Sequence, residues 1–123
     1  MVETSVDEIL SGSIQVSGYR IYAVFDKQMR CIYVGYTRNV KSRMRQHLRD
    51  KSEWQEYFDG NDDPRVIIYD HEDINEIAVA REPDIELRVF SDEIEWAKAA
   101  EWYMCKVLRP YIFCPQLLGV MPQ

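Results

Sequence analysis

The chain of 123 residues has the size of one domain, and its 46% hydrophobic and 29% charged residues exclude a disordered or collagen-like polymer. No apolar run approaches the ~20 residues a membrane helix needs, and the start, MVETSVDEILSG, lacks a basic region followed by an apolar block, so a cytoplasmic location is expected. The formal net charge of -6 is unevenly spread: Arg38, Lys41, Arg43, Arg45, Arg49 and Lys51 stand against Asp50 alone, whereas acids dominate from Glu53 to Glu101, so an anion would be held locally, not by the whole surface.

Residues 1–17 carry one short amphipathic piece, Val6 to Leu10, cut off by Ser11, Gly12 and Ser13. They read as an arm whose order the sequence does not settle, ahead of a single domain over 18–123. Tyr19 to Phe25 (YRIYAVF) and Cys31 to Tyr36 (CIYVGY) are rich in β-branched and aromatic residues and predict a hairpin, although DKQMR between them lacks an Asn-Gly or Asp-Gly turn. A helix follows from about Val40 to Lys51, capped by Thr37 or Asn39, and continues or restarts through Ser52 to Phe58 before the breaker run DGNDDP. RVIIYD predicts a strand, HEDINEIAVAR a short helix ended near Pro83, and IELRVF a further strand. In SDEIEWAKAAEWYMCKVL, Asp92 and Glu95 have capping-box spacing and the helix stops before Pro110. The prolines of YIFCPQLLGVMPQ rule out a long helix there. Cys31, Cys105 and Cys114 are odd in number, form no C-x-x-C pair and are expected to be small buried hydrophobes. The order of elements predicts a small α+β domain.

Both clear helices place polar groups among apolar ones. At 100° per residue Val40, Met44 and Leu48 make one stripe; His47 falls inside it and Arg43 lies at its edge one turn earlier. In the last helix Ile94, Ala97, Met104, Cys105 and Leu108 form the stripe, with Glu101 near its middle. Burying an ionised carboxylate alone costs several kcal/mol, so Glu101 requires a cation, a metal ion or hydrogen-bond donors, and Arg43 and His47 are the candidates if the helices share a sheet.

These residues resemble a known family. RIY at 20–22, YVG at 33–35 with the tyrosines 11 residues apart, Arg43 and His47 in the next helix and Glu101 in a later one resemble the GIY-YIG nuclease domain. EWYMCKVLRP is similar to that family's final helix, with Arg-Pro about two turns after the glutamate, and the resemblance covers roughly Tyr19 to Phe113. Arg20 replaces the first glycine of GIY, Tyr36 stands where some repair members carry lysine, and Phe113 lies roughly where an asparagine often closes the motif set. The segment from Pro64 to Pro83 is longer than a minimal domain requires and reads as an added strand and helix.

The resemblance implies a three-stranded antiparallel sheet flanked by helices, and divalent-metal-dependent hydrolysis of DNA phosphodiesters. Strand, tyrosine, glycine turn and basic helix would form the phosphate-facing wall. Glu101 would hold one Mg²⁺ or Mn²⁺, and Arg43 would neutralise charge on the phosphoryl oxygens. Tyr22 is favoured as general base if its pKa falls from ~10, Tyr33 would position water or phosphate, and His47 would relay a proton or hold the phosphate. Arg38, Lys41, Arg45 and Arg49 would track neighbouring phosphates. Two other readings stay open: a non-catalytic module that binds a protein through its acidic face, and a nuclease acting on RNA. The sequence carries no zinc finger or helix-turn-helix signal, so specificity would come from the added segment or from a protein partner.

Overall fold

The computed structural model describes residues 1–50, 64–81 and 93–112. Four strands, β1 (Val2–Ser5), β2 (Arg20–Phe25), β3 (Cys31–Thr37) and β4 (Arg65–Tyr69), form one antiparallel sheet in the order β1-β4-β2-β3. Helices α1 (Val6–Ser11) and α2 (Val40–Asp50) pack on one face, and α3 (His71–Arg81) and α4 (Glu93–Leu108) on the other. The α+β class holds, with four strands instead of about three. No described helix is long and apolar enough to cross a membrane.

The position of β2 explains its composition. Flanked by β3 and β4 and covered on both faces, it must be apolar throughout: Ile21, Ala23 and Phe25 join the cluster with Ala97, Ala100 and Met104, while Tyr22 and Val24 join Val40, Met44 and Ile68 opposite. Each fully buried Ile, Met or Val contributes roughly 1.5–3 kcal/mol. On β3, Tyr33 pairs with Val24 and Cys31 with Phe25, which leaves Ile32 as an extra, bulged residue. The bulge resets the alternation, so that Tyr33 and Gly35 share a face with Tyr22, and Gly35 lies directly opposite Tyr22. Gly35 is therefore a strand residue; the glycine turn expected at YVG is not there, because the chain stays paired to Thr37.

The hairpin turns without Asn-Gly because Asp26 organises it. Its carboxylate accepts from the N–H groups of Gln28 (3.0 Å) and Arg30 (2.9 Å) and from Arg30 Nε (2.9 Å), and Met29 takes the left-handed conformation at φ 60. Both proposed caps of α2 act in series: Thr37 Oγ1 accepts from Asn39 N–H at 3.0 Å, and Asn39 Oδ1 accepts from Ser42 N–H at 3.0 Å.

The first residues are built into the sheet. β1 pairs with β4, and Ser5 caps α1 by accepting from Glu8 N–H at 3.2 Å. The Pro64–Pro83 segment supplies β4, paired on both sides, and α3. Leu48 departs from the expected stripe: Val40 and Met44 are buried, but Leu48 is 43% exposed, since it is His47 that turns toward the aromatic rings of β2 and β3. Cys31 and Cys105 are buried, as their type suggests. The expected continuation through Ser52 to Phe58, the IELRVF strand, the Asp92 cap, Lys51, Cys114 and Phe113 lie outside the described residues.

Candidate active site

Tyr22 is the anchor. It is fully buried beneath α2, its ring stacks against Tyr33 with centroids 5.9 Å apart at 28°, and Gly35 opposite leaves room for it. A Cβ on Gly35 would stand 2.5 Å from Tyr22 Oη, 2.7 Å from Tyr22 Cζ and 2.9 Å from Tyr33 Cε1. The glycine thus provides space for two phenols, not backbone freedom.

Helical spacing brings Arg43 and His47 to the same hydroxyl. Arg43 Nε donates to Tyr22 Oη at 3.3 Å, and His47 Nε2 lies 2.8 Å from that oxygen. Arginine only donates, so the Tyr22 oxygen accepts from Arg43, while the tautomer of His47 sets whether Tyr22 donates to Nε2 or accepts from it. The His47 ring also meets Tyr33 edge-on, with centroids 4.8 Å apart at 70°. Gln46 Oε1 accepts from Arg43 Nη1 at 2.9 Å, one side of the guanidinium fork being fixed within its own helix.

Glu101 comes from the other face. Only 3% exposed on α4, it lies near the sheet edge formed by β3, where the backbone N–H of Tyr36 favours its charge. Burial pushes its carboxyl up to about 7, against the charge of Arg43 and the Tyr36 N–H, which both favour the ion. Arg43 is thus close enough for its charge to act on Glu101 while it donates to Tyr22. The five expected site residues gather where β3 separates the two faces.

The phenol titrates in the direction opposite to that expected of a base. Burial, and then the neighbouring Tyr33, push Tyr22 well above the usual tyrosine value, and the donors of Arg43 do not reverse this. A resting phenolate is therefore disfavoured, because the desolvated ring cannot hold the charge cheaply. Arg43, for its part, is held above its ordinary value: partial burial works against the charge, but the phenols of Tyr22 and Tyr33 outweigh it.

The other cations stand apart. Arg45 and Arg49 are exposed on α2, Arg38 is exposed with its guanidinium over the Tyr19 ring, 5.4 Å from the centroid, and half-buried Lys41 lies beside Gly12 at the end of α1. Gln46 and the Tyr36 N–H were not singled out from the sequence as site groups, and Gly35 was expected there only as a turn. Gln46 follows Arg43 by three residues, a readable helical spacing; the other two depend on strand register.

A divalent cation fits this arrangement in one form only. No group of three or more His, Cys, Asp or Glu capable of holding a metal occurs among the described residues. A closed protein cage is thus unsupported there, whereas one desolvated carboxylate suits a hard ion that keeps water and substrate oxygens in its shell. Glu101 would be its protein ligand.

A family model described as the GIY-YIG catalytic domain matches residues 18–111. No curated protein and no solved structure matches the chain.

Proposed function

Because the chain belongs to the GIY-YIG catalytic-domain family, a family of nucleases, we propose that it is an endonuclease that hydrolyses DNA phosphodiesters with one Mg²⁺ or Mn²⁺ at Glu101. The observation that carries this reading is the convergence of Arg43 on Tyr22, Tyr33 and, through its charge, Glu101, with His47 at the same hydroxyl. A module that only kept the fold would have no need to bury a carboxylate opposite a guanidinium.

Each residue has a distinct task. Glu101 holds the cation, which when bound supplies positive charge for the phosphoryl oxygens and acidifies coordinated water. Arg43, fixed by Tyr22 and Gln46, directs the remaining N–H groups of its fork at the oxygens where charge develops in the transition state. Tyr22, buried from water, works as a neutral positioning group, not as a standing phenolate. Its hydroxyl holds Arg43 and His47, and His47 takes the proton of the attacking water. Water oxygen bonds to phosphorus, the bond from phosphorus to the leaving oxygen breaks, the leaving oxygen takes a proton from solvent, and His47 holds the proton released by the attacking water. Tyr33 orients water and phosphate beside Arg43. Arg38, Lys41, Arg45 and Arg49 bind the flanking phosphates and add a salt-dependent share of affinity.

The test is cleavage of supercoiled plasmid by the purified chain with Mg²⁺, with Mn²⁺ and with chelator. Cation-dependent nicking or cutting that disappears in Glu101→Gln is expected. A chain that stays inert on plasmid, single-stranded and branched DNA with either cation sinks the reading.

A further inference from the structure

Two features beside the active site remain unused. The first is aromatic. Tyr19, just before β2, and Tyr36 on β3 bring their rings to 6.0 Å between centroids at 55°, with Arg38 over the Tyr19 ring. Tyr36 is also the residue whose backbone N–H favours the charge of Glu101. The second is a cavity of about 530 Å³ between the end of α1 and the start of α2, lined by Ser11, Gly12, Asn39 and Val40 together with the cations Arg38 and Lys41. Arg38 belongs to both: the tyrosines lie on the α4 side of the sheet and the hollow on the α1–α2 side, and Arg38 joins them at the rim where β2 begins and β3 ends.

That combination matches one ligand chemistry. A nucleotide has a planar base, which stacks on aromatic and guanidinium planes, and a phosphate, which seeks paired cations. A base inside an intact duplex already has both faces stacked, so it is out of reach of a protein ring. Resting on the nuclease reading of the neighbouring site, we propose that Tyr19, Tyr36, Arg38 and Lys41 form a subsite for one unpaired DNA nucleotide adjoining the scissile phosphate. The substrate class that follows is DNA with a frayed, forked, bulged or single-stranded nucleotide at the cut.

The competing account is structural. Tyr19 and Tyr36 are half-buried against the core beneath α4, and Lys41 beside Gly12 is placed to offset the negative end of α1. Binding measurements separate the two. Glu101→Gln protein in chelator, which cannot cleave, is titrated by fluorescence anisotropy with a labelled duplex and with the same sequence opened into a fork. Tyr19→Leu, which keeps apolar bulk, is expected to reduce the preference for the fork about 5- to 150-fold, the worth of one base stack, while Tyr19→Phe retains it. Lys41→Gln is expected to lower the slope of log affinity against log salt on single strands by about 0.7, one phosphate contact. An unchanged fork preference in Tyr19→Leu overturns the proposal, and so does an unchanged salt slope in Lys41→Gln accompanied by a lower melting temperature. Because cleavage is not read, the two ideas fail separately. An inert wild-type chain with a Tyr19-dependent fork preference would remove the nuclease and leave the subsite, and an active enzyme without that preference would do the reverse.

Discussion

Gly35→Ala tests the site without touching a group assigned any chemistry. Gly35 has ordinary strand backbone, unlike Gly12 at φ 84, so alanine meets no conformational objection and its whole cost is steric. Its Cβ would lie 2.7 Å from Tyr22 Cζ, whereas carbon contacts settle at about 3.5–4.0 Å, so the ring must retreat by about 1 Å. Tyr22 is fully buried and cannot swing aside. Overpacking of this kind costs about 1–3 kcal/mol, and the displaced hydroxyl would stretch its 2.8 Å approach to His47 beyond hydrogen-bond reach. A displacement of about 1 Å in a positioned group lowers turnover about 10²-fold. The assays are urea denaturation and single-turnover cleavage. In a Tyr22→Phe background, which deletes the nearest clashing atom, Gly35→Ala should cost at least about 0.5 kcal/mol less. Wild-type stability and rate in Gly35→Ala would refute the close approach, and strict additivity of the two substitutions would refute its assignment to the phenol.

Three further outcomes follow from the site. Between pH 4.5 and about 7 folded Glu101 retains a proton that the unfolded chain has released, so stability should fall as pH rises through that window and level off above it. Glu101→Gln should remove that slope and gain roughly 2–3 kcal/mol on the parent at pH 8, in metal-free melts compared with pH 5; parallel slopes for the two proteins would contradict the buried carboxylate. Arg43→Lys keeps the charge and loses the bond to Tyr22, so single-turnover cleavage should drop about 10²–10³-fold with DNA affinity changed only a few-fold, and a fully active lysine variant would show that charge alone suffices. His47→Gln retains a hydrogen-bonding partner for Tyr22 without a group that can take up a proton, so cleavage should slow and its pH–rate profile should change, whereas an unaltered rate and profile would exclude His47 as proton acceptor.

The sequence shows those parts of the architecture that periodicity encodes. YRIYAVF and CIYVGY announce strands because β2 is covered on both faces, and the four-residue step from Arg43 to His47 places both on one side of α2. Glu101 betrays itself as a carboxylate in an apolar stripe, and it is indeed buried. VETS gives no sign of β1, since the residues it buries are Thr4 and Ser5, whose hydroxyls are satisfied locally by Glu8. The bulge at Ile32 and the Tyr22–Gly35 pairing are properties of register between strands, which no single-strand pattern contains. Leu48 has helical spacing but is left exposed because His47 takes the place toward the sheet, so amphipathicity alone overstates its burial. The direction in which Tyr22 titrates depends on how completely its ring is covered, which composition cannot convey.

Why the site forms at β3 follows from hydrogen bonding. A central strand gives every backbone N–H to its neighbours, but among the described residues β3 is strand-paired only with β2. Tyr111 and Ile112 donate to its outward carbonyls at Cys31 and Ile32, and by alternation further N–H groups face that same edge. One of these N–H groups, at Tyr36, favours the charge of Glu101, and a side chain from the helix layer below can therefore come level with side chains from the layer above. At an interior strand the sheet itself would keep Glu101 and Arg43 apart. The burial that raises Glu101 to about 7 also makes cation binding compete with a proton. Cation affinity should consequently rise almost tenfold per pH unit below pH 7 and flatten above it, a dependence that an exposed carboxylate near 4.5 would not show. Isothermal titration with Mn²⁺ at pH 5.5, 6.5, 7.5 and 8.5 would reveal it, and an affinity independent of pH across that range would mean that the cation is held elsewhere.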